Sequence, residues 1–267
     1  MKQISILGCG WLGFPLAEHL IAEGHLVKGS TTSSEKLEVL EKSGMEPFLI
    51  ALTENGIQGT ITDFLYETEV LIIDIPPKLR GPDKENFVAK IQLLIAYIEK
   101  SSVEKVLFVS STSIYADDNS VITENTNAQP DTESGKQLLQ AEQFLQSSTH
   151  FKTTVLRFGG LIGDNRHPIH FLAGRQNLEN PDGPINLIHQ SDCIGIISKI
   201  IKKETWGDVF NAVAPFHPSR KEYYSQKATQ LNLVTPEFNH QLPSKGKVIL
   251  SDRVEKVLDY QFTITQP

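Results

Sequence analysis

The sequence predicts a doubly wound α/β fold with a mainly parallel sheet, and three observations carry the prediction. A short apolar β-rich run at residues 4–7 leads directly into a glycine turn and then a helical pattern. Strand-like and helical patterns alternate from there to about residue 158. The strand-like runs are continuously apolar, as strands covered on both faces are.

Each element has its own signal. After Gly8, Gly10 and Gly13, the apolar residues Phe14, Leu16, Ala17, Leu20 and Ile21 fall at helical spacing. Pro15 suits a first helical turn, where its missing N–H costs nothing, and Gly24 stands where a left-handed C-terminal cap is expected. Residues 25–29 read as a second strand, closing a βαβ unit of about 30 residues. Residues 36–42 read as a helix, 46–51 as extended chain, and 70–75 as a buried strand stopped by Pro76 and Pro77. Phe87, Val88, Ile91, Leu94, Ile95 and Ile98 recur every three or four residues opposite Lys84, Glu85, Lys90 and Glu99, which predicts an amphipathic helix. Strand at 106–109, a polar surface loop at 117–132, helix at 138–145 and strand at 154–156 follow. Beyond Gly159 the chain turns Gly-, Pro-, Asn- and His-rich around a helix at 193–202 and a strand at 209–212. Residues 1–162 and 188–213 are thus expected to form the main domain, and 163–187 with 214–267 a small region covering the substrate side.

Composition excludes several classes of function. Lys and Arg number 25 against 32 Asp and Glu, a net charge of −7 that offers no field for a phosphate backbone, so nucleic acid is not an expected partner. No apolar run approaches the ~20 residues of a membrane span, and the N-terminus has no export signal, so a soluble cytoplasmic protein is expected. The two cysteines, Cys9 and Cys193, lack the spacing of a zinc site or disulfide framework and suit a reducing compartment.

The pattern Gly8-x-Gly10-x-x-Gly13 between strand and helix carries chemistry. Small residues permit the sharp turn, the approach of backbone to a pyrophosphate and close helix–strand packing, while helix-start amides face the anion. This marks a dinucleotide-binding Rossmann unit, the bland alternative being a ligand-free βα turn. NAD sites place an acid about 20 residues beyond the glycines. Here Thr31, Thr32, Ser33 and Lys36 offer hydroxyls and a cation, which favours the 2′-phosphate of NADP and leaves NAD as the alternative. The same hydroxyls could instead cap the next helix. At the end of the fifth strand Ser110, Ser111, Thr112, Ser113 and Tyr115 place hydroxyls at the sheet edge where such folds bind ligands.

The glycine turn, the Ser110–Tyr115 segment, Leu156-Arg157-Phe158-Gly159-Gly160 and the run from Asn186 to Asp192 together resemble the extended short-chain dehydrogenases of the NAD-dependent epimerase/dehydratase superfamily. The Gly-Cys-Gly-Trp-Leu-Gly opening resembles an atypical reductase branch, since the main family has one more residue between its first two glycines. The resemblance implies that Gly8, Gly10 and Gly13, with the backbone of Trp11 and Leu12, hold the pyrophosphate. It places Ile75 and Pro76 beside the cofactor ribose and makes Ser111 the active-site hydroxyl. The family's proton-transferring Tyr and Lys are missing. Alignment on Ala141-Glu142 puts Ser134 and Leu138 at those positions, and a shifted register supplies Lys136 without a phenol.

Ser111, Thr112 and Tyr115 are therefore the catalytic candidates, although Tyr115 usually packs beneath the loop in that family. Arg166 and His167 are the candidates for substrate binding, against a solvated loop. His167-Pro168-Ile169-His170 is not expected to bind metal, because proline breaks the helical face and no carboxylate accompanies the pair. His189 and Asp192 are assigned structural duty. Neither G-x-S-x-G nor a Walker loop is present. Two readings stay open: an NADP-dependent oxidoreductase acting on a small polar, sugar-like molecule, and a non-catalytic NADP(H) sensor. The apolar helix near Phe87–Ile98 also leaves a homodimer open.

Overall fold

The computed structural model describes residues 1–77, 79 and 85–266. Seven strands form one parallel sheet: β1 (Gln3–Leu7), β2 (Leu26–Thr31), β3 (Glu46–Leu49), β4 (Val70–Ile73), β5 (Lys105–Ser111), β6 (Lys152–Phe158) and β7 (Val209–Ala212). Their spatial order is β7-β6-β5-β4-β1-β2-β3, so the winding reverses between β1 and β4. Ile4 pairs with Val70 and Leu7 with Ile73 across that boundary. Open α/β sheets bind ligands in the crevice beyond the strand ends at such a reversal.

The buried strand residues divide between two apolar layers. On one face α1 (Gly13–Ala22) contributes Leu16, Ala17 and Leu20, packed with Ile196, Ile197 and Ile200 of the helix Gln190–Lys203. On the other, Phe87, Ile91, Leu94 and Ile98 of the helix Phe87–Ile98 pack with Leu138, Ala141 and Leu145 of the helix Glu133–Ser147. The start of α1 follows the glycine turn and its end follows the expected cap: Gly24 has φ +87°, donating to Ile21 O while His25 N–H reaches Leu20 O.

Two expectations are revised. Lys90, assigned to a polar helix face, is buried and ion-paired with Glu85, which precedes the helix; Lys84 lies outside the described residues. Residues 214–267 do not all join the small region. The helix Asp252–Leu258 and the tail behind it return to the main core, where Val254, Leu258, Tyr260 and Phe262 are buried. Asp192 anchors that tail, accepting from Tyr260 Oη, Thr263 N–H and Thr263 Oγ1 at 2.7 Å each and from Ile264 N–H at 3.1 Å. The small region keeps a separate core of Ile162, Ile169, Ile185, Leu187, Tyr223 and Tyr224. No helix among the described residues is long and apolar enough to cross a membrane.

Candidate functional site

Between β1 and α1 two of the three glycines admit no side chain. Gly8 holds φ +110°, and a Cβ there would stand 2.3 Å from the Asp74 carbonyl oxygen. A Cβ on Gly13 would stand 2.2 Å from the Gly8 carbonyl oxygen, which is why helix and strand can close so tightly. A Cβ on Gly10 would meet nothing within 4 Å, so this glycine is not required by packing. The end of β2 pins the turn: Cys9 N–H donates to Ser30 O at 2.8 Å and Gly8 N–H to Ser30 Oγ at 2.9 Å. Leu12 is buried in the core and its side chain makes no cap bond to α1; Phe14 N–H is taken by Gly10 O and Gly13 N–H by the Asp74 carboxyl, which leaves the Trp11 and Leu12 amides for an anion. The Trp11 backbone is held from behind, its carbonyl accepting from Gln190 Nε2 at 2.5 Å.

A groove runs from this turn across the tips of β2 and β4. Thr31, Thr32, Lys36, Ile75 and Pro76 line it beside Gly8 and Gly10. Ser33 does not line it. Its carbonyl accepts from Lys36 N–H, and its side chain makes no cap bond to the short helical turn that follows, so the bland capping role is not filled. Sequence reasoning missed Ile50 and Leu52, which form an apolar wall suited to a base, and missed Ser30, Asp74 and Lys90. Burial pushes the Asp74 carboxyl up to about 7, while the Gly13 N–H donated to it and the Arg166 charge act the other way.

Pro76 belongs to this groove and to a second cleft lined by Ser111, Ser113, Glu133, Ser134, Leu138 and Arg166, so the two meet there. Ser111 Oγ accepts from Ser113 N–H at 3.2 Å, leaving its proton free to donate. Ser134 and Leu138, one turn apart on the same helix, both face this cleft, whereas Lys136 is exposed and does not line it. Arg166 spans the mouth, its guanidinium 4.7 Å above the Trp11 ring.

The remaining catalytic and substrate candidates are corrected. Tyr115 is almost fully buried away from the cleft. Its hydroxyl accepts from Arg157 Nη1 at 2.6 Å and donates to Asn211 Oδ1 at 3.0 Å, and burial raises its pKa. Arg157 is paired in turn with buried Glu142 at 2.6 Å, and Ser110 donates to the same carboxylate at 2.5 Å. Thr112 is buried and turned from the cleft, and Ser113 takes its place. His167 is buried in the small region: Nδ1 accepts from Ile169 N–H at 3.1 Å, so Nε2 carries the proton donated to Tyr223 Oη at 2.8 Å. Burial lowers its pKa to about 4, and it does not reach the second cleft. His189 caps the helix Gln190–Lys203 by accepting from Ser191 N–H. Among the described residues no three His, Cys, Asp or Glu side chains gather as metal ligands would.

No protein-family model matches the chain. It is 34% identical over 269 residues to Protein YeeZ of Escherichia coli strain K12, covering 100% of this chain and 98% of that protein. In fold it is similar to UDP-glucuronic acid 4-epimerase from Bacillus cereus in complex with NAD, with a TM-score of 0.82, 15% identity, and 98% and 92% of the two chains covered. It is also similar to a short-chain dehydrogenase/reductase superfamily protein from Agrobacterium tumefaciens with bound NAD, with a TM-score of 0.80, 17% identity and coverage of 97% and 92%. At these identities the structural likeness establishes the fold.

Proposed function

The chain belongs to the family of Protein YeeZ, and from the fold and the site geometry we propose that it is a dinucleotide-binding protein of the epimerase/dehydratase type, an NADP-dependent oxidoreductase acting on a small polar, sugar-like substrate. One observation carries this reading: the glycine turn's groove and a hydroxyl-lined cleft meet at Pro76, one site for a dinucleotide's phosphates and one for what it reacts with. The two similar structures contain NAD. NADP is favoured for this chain by Thr31, Thr32 and Lys36 in the groove and by the lack of an acid at the β2 tip.

Gly8, Gly10 and the amides of Trp11 and Leu12 would hold the diphosphate, Ile50 and Leu52 the adenine, and Thr31, Thr32 and Lys36 the 2′-phosphate. The bound nicotinamide supplies hydride exchange. Ser111 donates a hydrogen bond to the substrate oxygen, and Arg166 holds an anionic group at the cleft mouth. Glu133 is the only carboxylate among the described residues lining this cleft; with Tyr115 and His167 buried away from it, the proton that a reduced carbonyl oxygen needs would come through Ser111 from water.

The sensor reading is favoured by Ser134 and Leu138, which cannot do the work of a Tyr–Lys pair. A screen of carbonyl compounds for NADPH oxidation, with Ser111→Ala as control, separates the two. Turnover that falls at least tenfold in the variant supports the enzyme; NADPH binding with no turnover across the screen supports the sensor.

A further inference from the structure

Asp74 directly follows β4, inside the crevice that the dinucleotide reading assigns to the diphosphate, and the mechanism above gives it no work. Its side chain lies against the glycine turn: a methyl on Gly13 would stand 3.2 Å from Oδ2, and the Gly13 N–H is donated to the carboxyl. It lines the same groove as Gly8 and Gly10. A carboxylate here faces the position of two phosphate charges in a partly dehydrated crevice, and like charges so placed do not both stay ionised.

The charged neighbours do not neutralise it. Arg166, from the segment after β6, acts on it from the cleft mouth but is stacked on Trp11; among the described residues Asp74 makes no ion pair. Lys36, behind the β2 tip, lines the far part of the groove, and Lys90 on the facing helix is paired with Glu85. The thiols of Cys9 in the turn and Cys193 across the core are both pushed upward, partly by Asp74, and stay neutral. Asp74 is thus the group on these elements best able to change charge when an anion arrives.

We propose that Asp74 carries a proton whenever a dinucleotide sits on the turn, meeting the diphosphate as a neutral hydrogen-bond donor, so that binding takes up one proton from solvent. This rests on the dinucleotide reading and adds a proton-carrying ligand to it. The carboxyl of the free protein, raised by burial to about 7, is largely ionised at pH 8 and largely protonated at pH 6. Affinity should then weaken about tenfold between those values, since only the protonated fraction is competent.

The probe is NAD, because the 2′-phosphate of NADP itself titrates near pH 6. Calorimetric titration of the full chain at pH 7.5, in two buffers of different ionisation enthalpy, should show about 0.8 proton taken up per NAD bound. Asp74→Asn, which keeps the shape and removes the charge, should bind with no uptake and an affinity that is flat from pH 6 to 8. NAD binding to the native chain without proton uptake overturns the inference while leaving the dinucleotide reading intact. Uptake that persists in Asp74→Asn overturns it too, by assigning the proton elsewhere. If neither NAD nor NADP binds at either pH, the dinucleotide reading fails first and the inference with it. Should Asp74→Asn not fold, the uptake by the native chain still decides.

Discussion

Replacing Gly10 by alanine separates a turn that exists for packing from one that exists for a ligand. The new methyl would meet nothing within 4 Å, and Gly10 is not among the positive-φ glycines. Folding should therefore be unharmed, or favoured by about 0.4–1 kcal/mol through the reduced freedom of the unfolded chain. Binding should not be spared. The middle glycine is where backbone approaches the pyrophosphate, and a methyl there holds a phosphate roughly 2 Å too far out for one or two charge-assisted hydrogen bonds of about 1.5–3 kcal/mol each. A net loss of about 2–4 kcal/mol corresponds to an affinity some 30- to 1,000-fold weaker. Thermal unfolding and NADPH titration of the same preparation read both quantities. Gly8→Ala and Gly13→Ala are the contrasting controls, because their Cβ atoms would stand 2.3 and 2.2 Å from carbonyl oxygens, and they should fail in folding. Gly10→Ala that binds NADPH within twofold of the native chain would refute the reasoning.

Lys36→Glu places a carboxylate beside Thr31 and Thr32 and should weaken NADPH binding at least tenfold while leaving NADH within about twofold, measured by parallel titrations; equal losses would remove Lys36 from 2′-phosphate recognition. Arg157→Met strands the buried Glu142 carboxylate and should cost about 3–5 kcal/mol in urea unfolding, most of it recovered when Glu142→Leu is added; a double variant no more stable than the single one would contradict this. His167 is held near 4 in the folded chain against 6.5 unfolded, so the unfolded chain binds the extra proton between those values. Its contribution is complete above about pH 6.5 and is lost as pH falls toward 4, a decline of about 3 kcal/mol that His167→Gln should flatten in a pH series of unfolding curves.

What could be read in the sequence was whatever is local. The glycine turn, the Pro15 and Gly24 helix ends and the apolar periodicity of Phe87–Ile98 depend on neighbours in the chain, and each stands where its pattern puts it. Partners distant in sequence were not legible. Ile50, Leu52, Asp74 and Lys90 meet in one groove only because the sheet order sets the ends of β2, β3 and β4 around β1. Tyr115 and Thr112 looked catalytic because they carry hydroxyls at the edge of a strand, yet the short helical turn at Thr112–Ile114 rotates them inward, toward Arg157 in the case of Tyr115. His167 was judged by its nearness to Arg166, but two aromatic residues more than 50 positions away draw it into another core. Lys90 fell on a helix face opposite the apolar residues, and its burial follows from Glu85, a partner outside the helix.

The central claim is that a dinucleotide's diphosphate rests on the backbone between Gly8 and Gly13. Crystals soaked in NADPH, and separately in NADH, test it most directly. The account predicts density across that turn, with phosphate oxygens about 2.7–3.1 Å from the Trp11 or Leu12 amide and the nicotinamide reaching past Pro76 toward Ser111. A turn left bare by both nucleotides at saturating concentration, or a nucleotide bound elsewhere on the molecule, would contradict it.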